Sequence, residues 1–353
     1  MMTSLQEEQI AAHPDFPWLE AGNVARVSAL FERLNWLRRE ERVASCDKAG
    51  EGNMNLTLRV RTDQRSMILK QARPWVEKYP EIAAPWDRSL SEQGFYARVS
   101  RLPEVAAAMP RVLAADADAK VLLLEDLGEA HDLTDLYAGR QISEEELRSL
   151  AGYLSALHGG TRGKADPALA NRDMRALNHE HMFVVPLHPD NGVELDVHEL
   201  WLAKEADALC DDPAFCAAVQ LVGQRYMEDG ECLVHGDFFP GSWVATDDGI
   251  RVIDPEFCFF GDAELDLGVA IAHLRIADHD LDFAKAFLSA YVGQESEPGY
   301  DVAWVAAYAA VEVVRRIIGV AQLPIPQTMG LRARLLKQAR GALLSRAVED
   351  LWV

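Results

Sequence analysis

Two acidic clusters lie close together in residues 232–266, CLVHGDFFPGSWVATDDGIRVIDPEFCFFGDAELD. The first, His235-Gly236-Asp237, follows a short apolar run that reads as a strand. The second, Asp254-Pro255-Glu256, follows Ile250-Arg251-Val252-Ile253. Between them Gly241-Ser242-Trp243-Val244 resumes a strand pattern, and Asp247-Asp248-Gly249 has the residues of a hairpin turn. The spacing predicts that this hairpin brings both clusters to neighbouring strand ends. Carboxylates crowded in this way repel one another unless a cation or hydrogen-bond donors compensate. Oxygen-only ligands suit Mg²⁺, which usually takes one or two carboxylates together with substrate phosphates. The pattern would therefore serve a nucleotide–metal complex, although a solvated acidic hairpin would look the same in so acidic a chain.

The elements that must position such a complex lie upstream. Residues 42–46 and 55–60 read as strands flanking the turn Ala49-Gly50-Glu51-Gly52-Asn53. A glycine-rich turn between antiparallel strands lets backbone amides close over phosphates, and Gly50, Gly52 and Asn53 are the candidates. A plain β-hairpin would share this pattern, and neither a Walker loop nor a Rossmann turn is present. A third strand, residues 66–71, carries Lys70. Strand, glycine turn, strand and strand with lysine is the order of a kinase-like N-lobe, in which the lysine grips the α/β-phosphates. A partly buried ammonium calls for a carboxylate partner. Glu92, on a helix predicted over residues 89–101, fits better than Glu104, which follows Pro103; a favourable acid in the first helical turn is the other reading of Glu92.

HGDxxxGS (His235 to Ser242) followed by IDPEF (Ile253 to Phe257) resembles the catalytic and metal motifs of the aminoglycoside phosphotransferase and choline kinase-like superfamily, and most closely methylthioribose kinases. The resemblance runs from Gly50 to Gly319 with motifs in order, and GEGNMN and KQARPWV join it. It implies an α+β, bilobal, protein-kinase-like fold: an antiparallel sheet in an N-lobe (residues 1–126, nucleotide-binding) and a mainly helical C-lobe (127–353, catalytic and acceptor-binding). It implies Asp237 beside the attacking hydroxyl, Asp254 and Glu256 on Mg²⁺, and Ser242 where most members carry a metal-binding Asn. Glu125 and Leu127, in the strand-to-linker run Glu125-Asp126-Leu127, would meet adenine through their main chains. Arg315-Arg316 in VEVVRRIIGVAQLP resembles the E-x-x-RR-x-x-G segment of methylthioribose kinases, where the arginines face the acceptor sugar and the reacting phosphate; complementing the helix dipole accounts for only one of them well. Phe238-Phe239-Pro240 departs from the family pattern inside the catalytic motif and bears on the acceptor. Trp75 and Trp86 bracket a loop that covers the cleft in the family, or packs in the core.

The implied reaction is transfer of the γ-phosphoryl group of ATP to an alcohol of a methylthioribose-like sugar. Another small alcohol (aminoglycoside, choline, homoserine or another pentose) and a non-catalytic nucleotide-binding protein are the alternatives. A formal charge of -21 on 353 residues argues against nucleic acid and anionic membranes, which need clustered cations. The most apolar segment, near residues 302–314, is broken by Glu312 and too short to span a bilayer. Five cysteines without a C-x-x-C pair, and no signal-peptide order at the N-terminus, predict reduced thiols and a cytoplasmic setting. An exposed apolar helix face would allow a homodimer. Ser143-Glu144-Glu145-Glu146 opens a capped helix ending near His158. His158, in LSALHGGT, resembles the L-H-x-x-T element of the family, where the histidine is chiefly structural, and His179 and His181 lack zinc-site spacing.

Overall fold

Alternation in LTLRVRT sends Leu56, Leu58 and Val60 to one face of a strand, and the same face of its neighbours is also apolar. In the computed structural model, which describes residues 2–50, 54–188, 191–293, 299–326, 328 and 330–353, these strands build a five-stranded antiparallel sheet. The chain divides into two compact units, Met1–Glu129 and Ala130–Val353, against an expected break after Asp126.

The first unit contains α1 (Ser4–Ala12), α2 (Val24–Arg33), β1 (Val43–Lys48), β2 (Leu56–Thr62), β3 (Ser66–Gln71), α3 (Arg88–Val99), α4 (Pro103–Ala107), β4 (Val112–Asp116) and β5 (Val121–Glu125). The strand order is β1-β2-β3-β5-β4. One apolar layer joins Val27, Leu30 and Phe31 of α2 to Leu58, Val60, Met67, Leu69, Val121 and Leu123. Each large side chain buried there contributes roughly 1.5–3 kcal/mol. Because successive side chains alternate faces, burying Leu69 on this layer puts Lys70 on the opposite face.

The second unit runs β6 (His131–Asp132), α5 (Glu144–Thr161), α6 (Arg172–His179), α7 (Leu202–Cys210), α8 (Pro213–Met227), β7 (Cys232–Val234), β8 (Trp243–Thr246), β9 (Gly249–Val252), β10 (Phe259–Gly261), α9 (Ala263–Ile276), α10 (Leu281–Val292), α11 (Val302–Ile318) and α12 (Leu331–Ser345). Ser143 caps α5 as its sequence predicts, exchanging hydrogen bonds with Glu146. The predicted hairpin exists as β8–β9, turning at Asp247-Asp248. However, β7 does not extend that hairpin; it pairs with β10, Val234 opposite Phe259. The two acidic clusters therefore leave different sheets.

Every residue of α9 is buried, and α11 is buried from Val305 to Ile318. They pack closely at Gly268, where a Cβ would lie 2.6 Å from Tyr308 Cβ and 2.9 Å from both Ala309 N and Val305 O. Gly268→Ala is expected to cost about 1–3 kcal/mol, because the obstacles include backbone. A lower urea midpoint would register it; an unchanged midpoint would show that the helices separate freely.

His273 on α9 is fully buried, and burial drops its pKa to about 4, with a hydrogen bond to Glu312 opposing the shift. An unfolded histidine protonates near 6.5, so between about 6.5 and 4 the unfolded chain binds the extra proton. Stability from this group is full above about pH 6.5 and is lost as pH falls toward 4. The decline in urea midpoint between pH 7 and 4.5 should be shallower for His273→Gln than for the parent chain. An equal decline would assign the loss to other groups.

Candidate active site

In the first unit Lys70 Nζ donates to Glu92 Oε1 at 2.6 Å, and both are buried. Glu104 is exposed, so the pairing falls to Glu92 as the sequence predicts. Four residues earlier on α3, Arg88 donates to Asn55 Oδ1 (2.9 Å), Arg73 O (2.6 Å), Pro85 O (2.8 Å) and Met54 O (2.7 Å). One helix thus fixes both the lysine and the chain that leaves the glycine turn. Gly50 has φ +68, a conformation that costs glycine little. Gly52 and Asn53 lie outside the described residues. The carboxylate of Glu125 is engaged by Arg111 (Nη2 to Oε1, 3.1 Å), and its N–H donates to Arg111 O at 2.9 Å, so a main-chain contact to a base would use its carbonyl. Leu127 is half-buried just beyond β5. Trp75 and Trp86 both stack on Trp18, with ring centroids 5.3 Å and 5.6 Å away, and Trp75 is 1% exposed; they are packing residues of this unit.

In the second unit Asp237 is positioned through its backbone. The fully buried Asp266 of α9 accepts from His235 N (2.7 Å) and Gly236 N (2.9 Å), and His158 Nε2 lies 3.1 Å from the same carboxylate. Gly236 has φ +85, and a Cβ there would lie 2.2 Å from Phe257 O, so only glycine fits. His235 Nε2 donates to Ile253 O at 2.9 Å, which leaves Nδ1 to accept from Asp237 N at 3.4 Å. Ile253 N donates to Ser242 O at 3.0 Å. These bonds bring together the two motifs that separate sheets deliver.

The side chain of Asp237 faces two cations. Arg316 Nη2 lies 3.0 Å and Arg315 Nη1 3.5 Å from Asp237 Oδ1. Glu312, fully buried one turn earlier on α11, accepts from Arg315 Nη1 (3.1 Å) and Arg316 Nε (2.5 Å). Burial opposes the charge of Glu312, yet Arg316 and Arg315 hold its carboxyl well below the usual range. Burial likewise opposes the charge of Arg316, and Glu312 and Asp237 reverse this and raise its pKa. The sequence-predicted trio Asp237, Arg315 and Arg316 is therefore brought together, with Glu312 as its counter-charge.

Asp254 has φ 64 and ψ 52, a left-handed conformation rare for a residue that carries a Cβ, and rarer still before proline. Such strain, of order 1–3 kcal/mol, persists where surrounding structure enforces it. Asn171 supplies part of that enforcement, donating to Glu256 O and Cys258 O at 2.9 Å each. Glu256 is 7% exposed. Ser242 Oγ donates to Asp237 O at 3.0 Å, so this hydroxyl ties the loop that carries Asp237. Among the described residues no three His, Cys, Asp or Glu side chains converge as a metal cage. Phe238 is wholly buried, stacked on Tyr153 at 5.8 Å, and cannot line an acceptor site. Phe239 is half-buried beneath Arg316, whose Cζ lies 4.6 Å from its ring centroid.

Sequence reasoning gave no role to Asp266, Glu312, His273 or Tyr137. Glu312 carried a readable signal, a lone acid in an apolar helix one turn before two arginines; Tyr137 carried none.

A sequence profile of the phosphotransferase enzyme family (APH) matches residues 46–316. A methylthioribose kinase of Exiguobacterium sibiricum is 27% identical over 324 residues, covering 78% of this chain and 80% of that protein. One of Geobacillus thermodenitrificans is 28% identical, covering 71% of this chain and 65% of that protein. One of Cronobacter sakazakii is 26% identical, covering 70% and 64% respectively. The chain thus spans less than two thirds of the length of the latter two. Among solved structures, Plasmodium vivax ethanolamine kinase superposes with TM-score 0.54 at 10% identity, over 96% of this chain and 93% of that one. The choline kinase LicA from Streptococcus pneumoniae does so with TM-score 0.51 at 14% identity, over 90% and 98%. At such identities the likeness carries the fold alone, which is kinase-like, with an antiparallel sheet in the N-terminal unit and a mostly helical remainder. With three quarters of its length matched by one profile, the chain belongs to the phosphotransferase enzyme family and is an ATP-dependent kinase of a small-molecule alcohol.

Proposed function

We propose that the acceptor is a methylthioribose-like sugar, that Mg²⁺ accompanies the nucleotide, and that Asp237 receives the acceptor hydroxyl. One observation carries this reading: two buried guanidinium groups lie 3.0 and 3.5 Å from Asp237 Oδ1 and share a buried carboxylate, Glu312. Their charges cancel, Arg315 and Arg316 against Glu312 and Asp237. A cationic acceptor such as choline or an aminoglycoside would find no surplus negative charge here. At 4 Å each guanidinium would repel an ammonium by about 4 kcal/mol at an effective dielectric of about 20, and the two carboxylates would offset this without leaving a net attraction. A neutral polyol meets donors instead. Relatives named methylthioribose kinase at 24–28% identity support the same choice.

Asp254 and Glu256 offer hard oxygen donors but no complete cage, which fits an ion brought in with nucleotide phosphates. When bound, Mg²⁺ would neutralise phosphate charge. Lys70, fixed by Glu92, would hold the phosphate tail, backbone amides of Gly50, Gly52 and Asn53 would contribute to the same task, and Glu125 and Leu127 would meet the base. Asp237 would orient the hydroxyl and take its proton late in transfer, since phosphoryl transfer leaves positioning and charge as the protein's main work. Arg316 would keep that carboxylate directed. Arg315 would reach the acceptor or the moving phosphoryl group. Ser242 would steady the loop.

A panel of methylthioribose, ribose, other pentoses, homoserine, choline and aminoglycosides, read by ADP release with Mg·ATP, tests the acceptor. Methylthioribose should stimulate turnover most, and selective stimulation by choline or an aminoglycoside would overturn the charge argument. Asp237→Asn should lower kcat by about 10²–10⁴ and leave nucleotide affinity nearly unchanged. Asp254→Asn should instead weaken Mg·ATP binding measured by calorimetry. Near-normal turnover in Asp237→Asn would remove Asp237 from its role.

A further inference from the structure

A buried chain of hydrogen bonds continues from the arginine pair into α9 and beyond. Glu312 Oε1, which accepts from Arg316 Nε, also lies 3.1 Å from His273 Nε2. His273 Nδ1 lies 2.6 Å from the hydroxyl of Tyr137. A carboxylate only accepts, so His273 Nε2 carries the proton toward Glu312, and Nδ1 accepts from Tyr137. His273 is thereby fixed as one neutral tautomer. Glu312 and His273 are fully buried, and Tyr137 is 3% exposed. The ring of Phe239 lies between the two levels of the chain, its centroid 5.3 Å from that of His273 and 4.6 Å from Arg316 Cζ.

Such a chain is costly to bury for packing alone. Hydrophobic residues of similar volume would fill the space at no penalty, whereas a buried carboxylate with a member missing is strongly destabilising. What it supplies is direction. A guanidinium has five donors in a rigid fork, so holding Nε and one face of the group fixes where the remaining Nη points. Glu312 holds Arg316 Nε, Phe239 covers its face, and Nη2 is left on Asp237 Oδ1. Arg315 Nη1 holds Oε2 of Glu312, and Oε1, the oxygen that receives Arg316 Nε, has His273, locked by Tyr137, as its further anchor.

We propose that Tyr137, His273 and Glu312 form a positioning relay that orients Arg316 on Asp237, and so sets the competence of Asp237 toward the acceptor hydroxyl. The proposal rests on Asp237 being the residue that receives the acceptor. It assigns none of the three relay residues a contact with substrate.

The test is a double-mutant cycle. Tyr137→Phe removes one oxygen and is expected to fold; its kcat should fall about tenfold, the scale of losing an orienting partner, with KM for ATP unchanged. His273→Gln keeps a donor near the Nε2 position and should retain more kcat than His273→Asn, which does not reach Glu312. In an Arg316→Ala background the Tyr137→Phe change should have no further effect on kcat, because the group it orients is gone. Equal fold-losses with and without Arg316 would overturn the relay. Asp237→Asn with near-normal turnover would instead overturn the underlying assignment, so the two failures are told apart. A second readout needs no acceptor. In ¹⁵N-histidine spectra His273 should show the neutral Nε2–H tautomer at pH 7; an Nδ1–H tautomer in the parent chain would also overturn the proposal.

Discussion

The arrangement of the second unit depends on compensating one buried carboxylate. Glu312 is fully enclosed, and an ionised carboxylate moved from water into such surroundings costs several kcal/mol unless it is paired and fully hydrogen-bonded. Two guanidiniums and an imidazole N–H meet that need. Two cations on one anion leave a positive charge over, and Asp237 supplies the balance. The placing of Asp237 is thus an electrostatic requirement of the α11 core, apart from the role proposed for it. Replacing Glu312 alone would leave two arginines crowded together; replacing both arginines would leave an acid in the core.

This cluster exists only because α9 and α11 approach closely. Gly268 lets the two backbones come within contact distance, since a Cβ there would strike Tyr308 Cβ, Ala309 N and Val305 O. Just over one turn along from Gly268, His273 meets Glu312, itself one turn along from Tyr308. A wider helix pair would separate the imidazole from the carboxylate, and the neutral tautomer would lose its reason. Packing at one glycine therefore fixes the depth at which the polar chain can close.

The local parts of this fold were legible in the sequence. Residues 66–71 form a strand as their pattern predicts, Ser143 caps its helix, and Lys70 finds Glu92, because each depends on spacing within one or two elements. Pairing across distance was not legible. The short run Cys232–Val234 could as well have extended the hairpin that follows; it pairs with Phe259–Gly261 because both are wholly apolar and buried, a fact about tertiary contact rather than periodicity. Phe238 read as a change in the acceptor region and is a core residue on Tyr153. Alternation does not tell which of two adjacent phenylalanines turns inward. The buried polar residues were hidden for a related reason. Asp266, His273 and Glu312 look like interruptions of apolar helices until the groups they satisfy are known.

The two acidic motifs are held by different means, and the difference bears on how an enzyme of this kind changes its acceptor. Asp237 is fixed twice, through the main chain of His235 and Gly236 just before it, held by Asp266 of α9, and at its carboxylate through Arg316 of α11. Asp254 is fixed by a left-handed turn that Asn171, at the N-cap of α6, pins. Neither device uses the chemistry of the residues between the motifs, 238–252, beyond the tie from Ser242 and the stacking of Phe238 and Phe239. The placing of Asp237 is thus a property of the buried helix pair rather than of the surface residues of the intervening hairpin. What cannot vary independently is the charge beside Asp237. With the neutral acceptor proposed above, favouring a cationic one would mean removing a guanidinium, and removing one unbalances Glu312 in the core. On this reading acceptor charge class is coupled to the stability of α11, and a shift toward cationic acceptors demands a change at Glu312 together with Arg315 or Arg316.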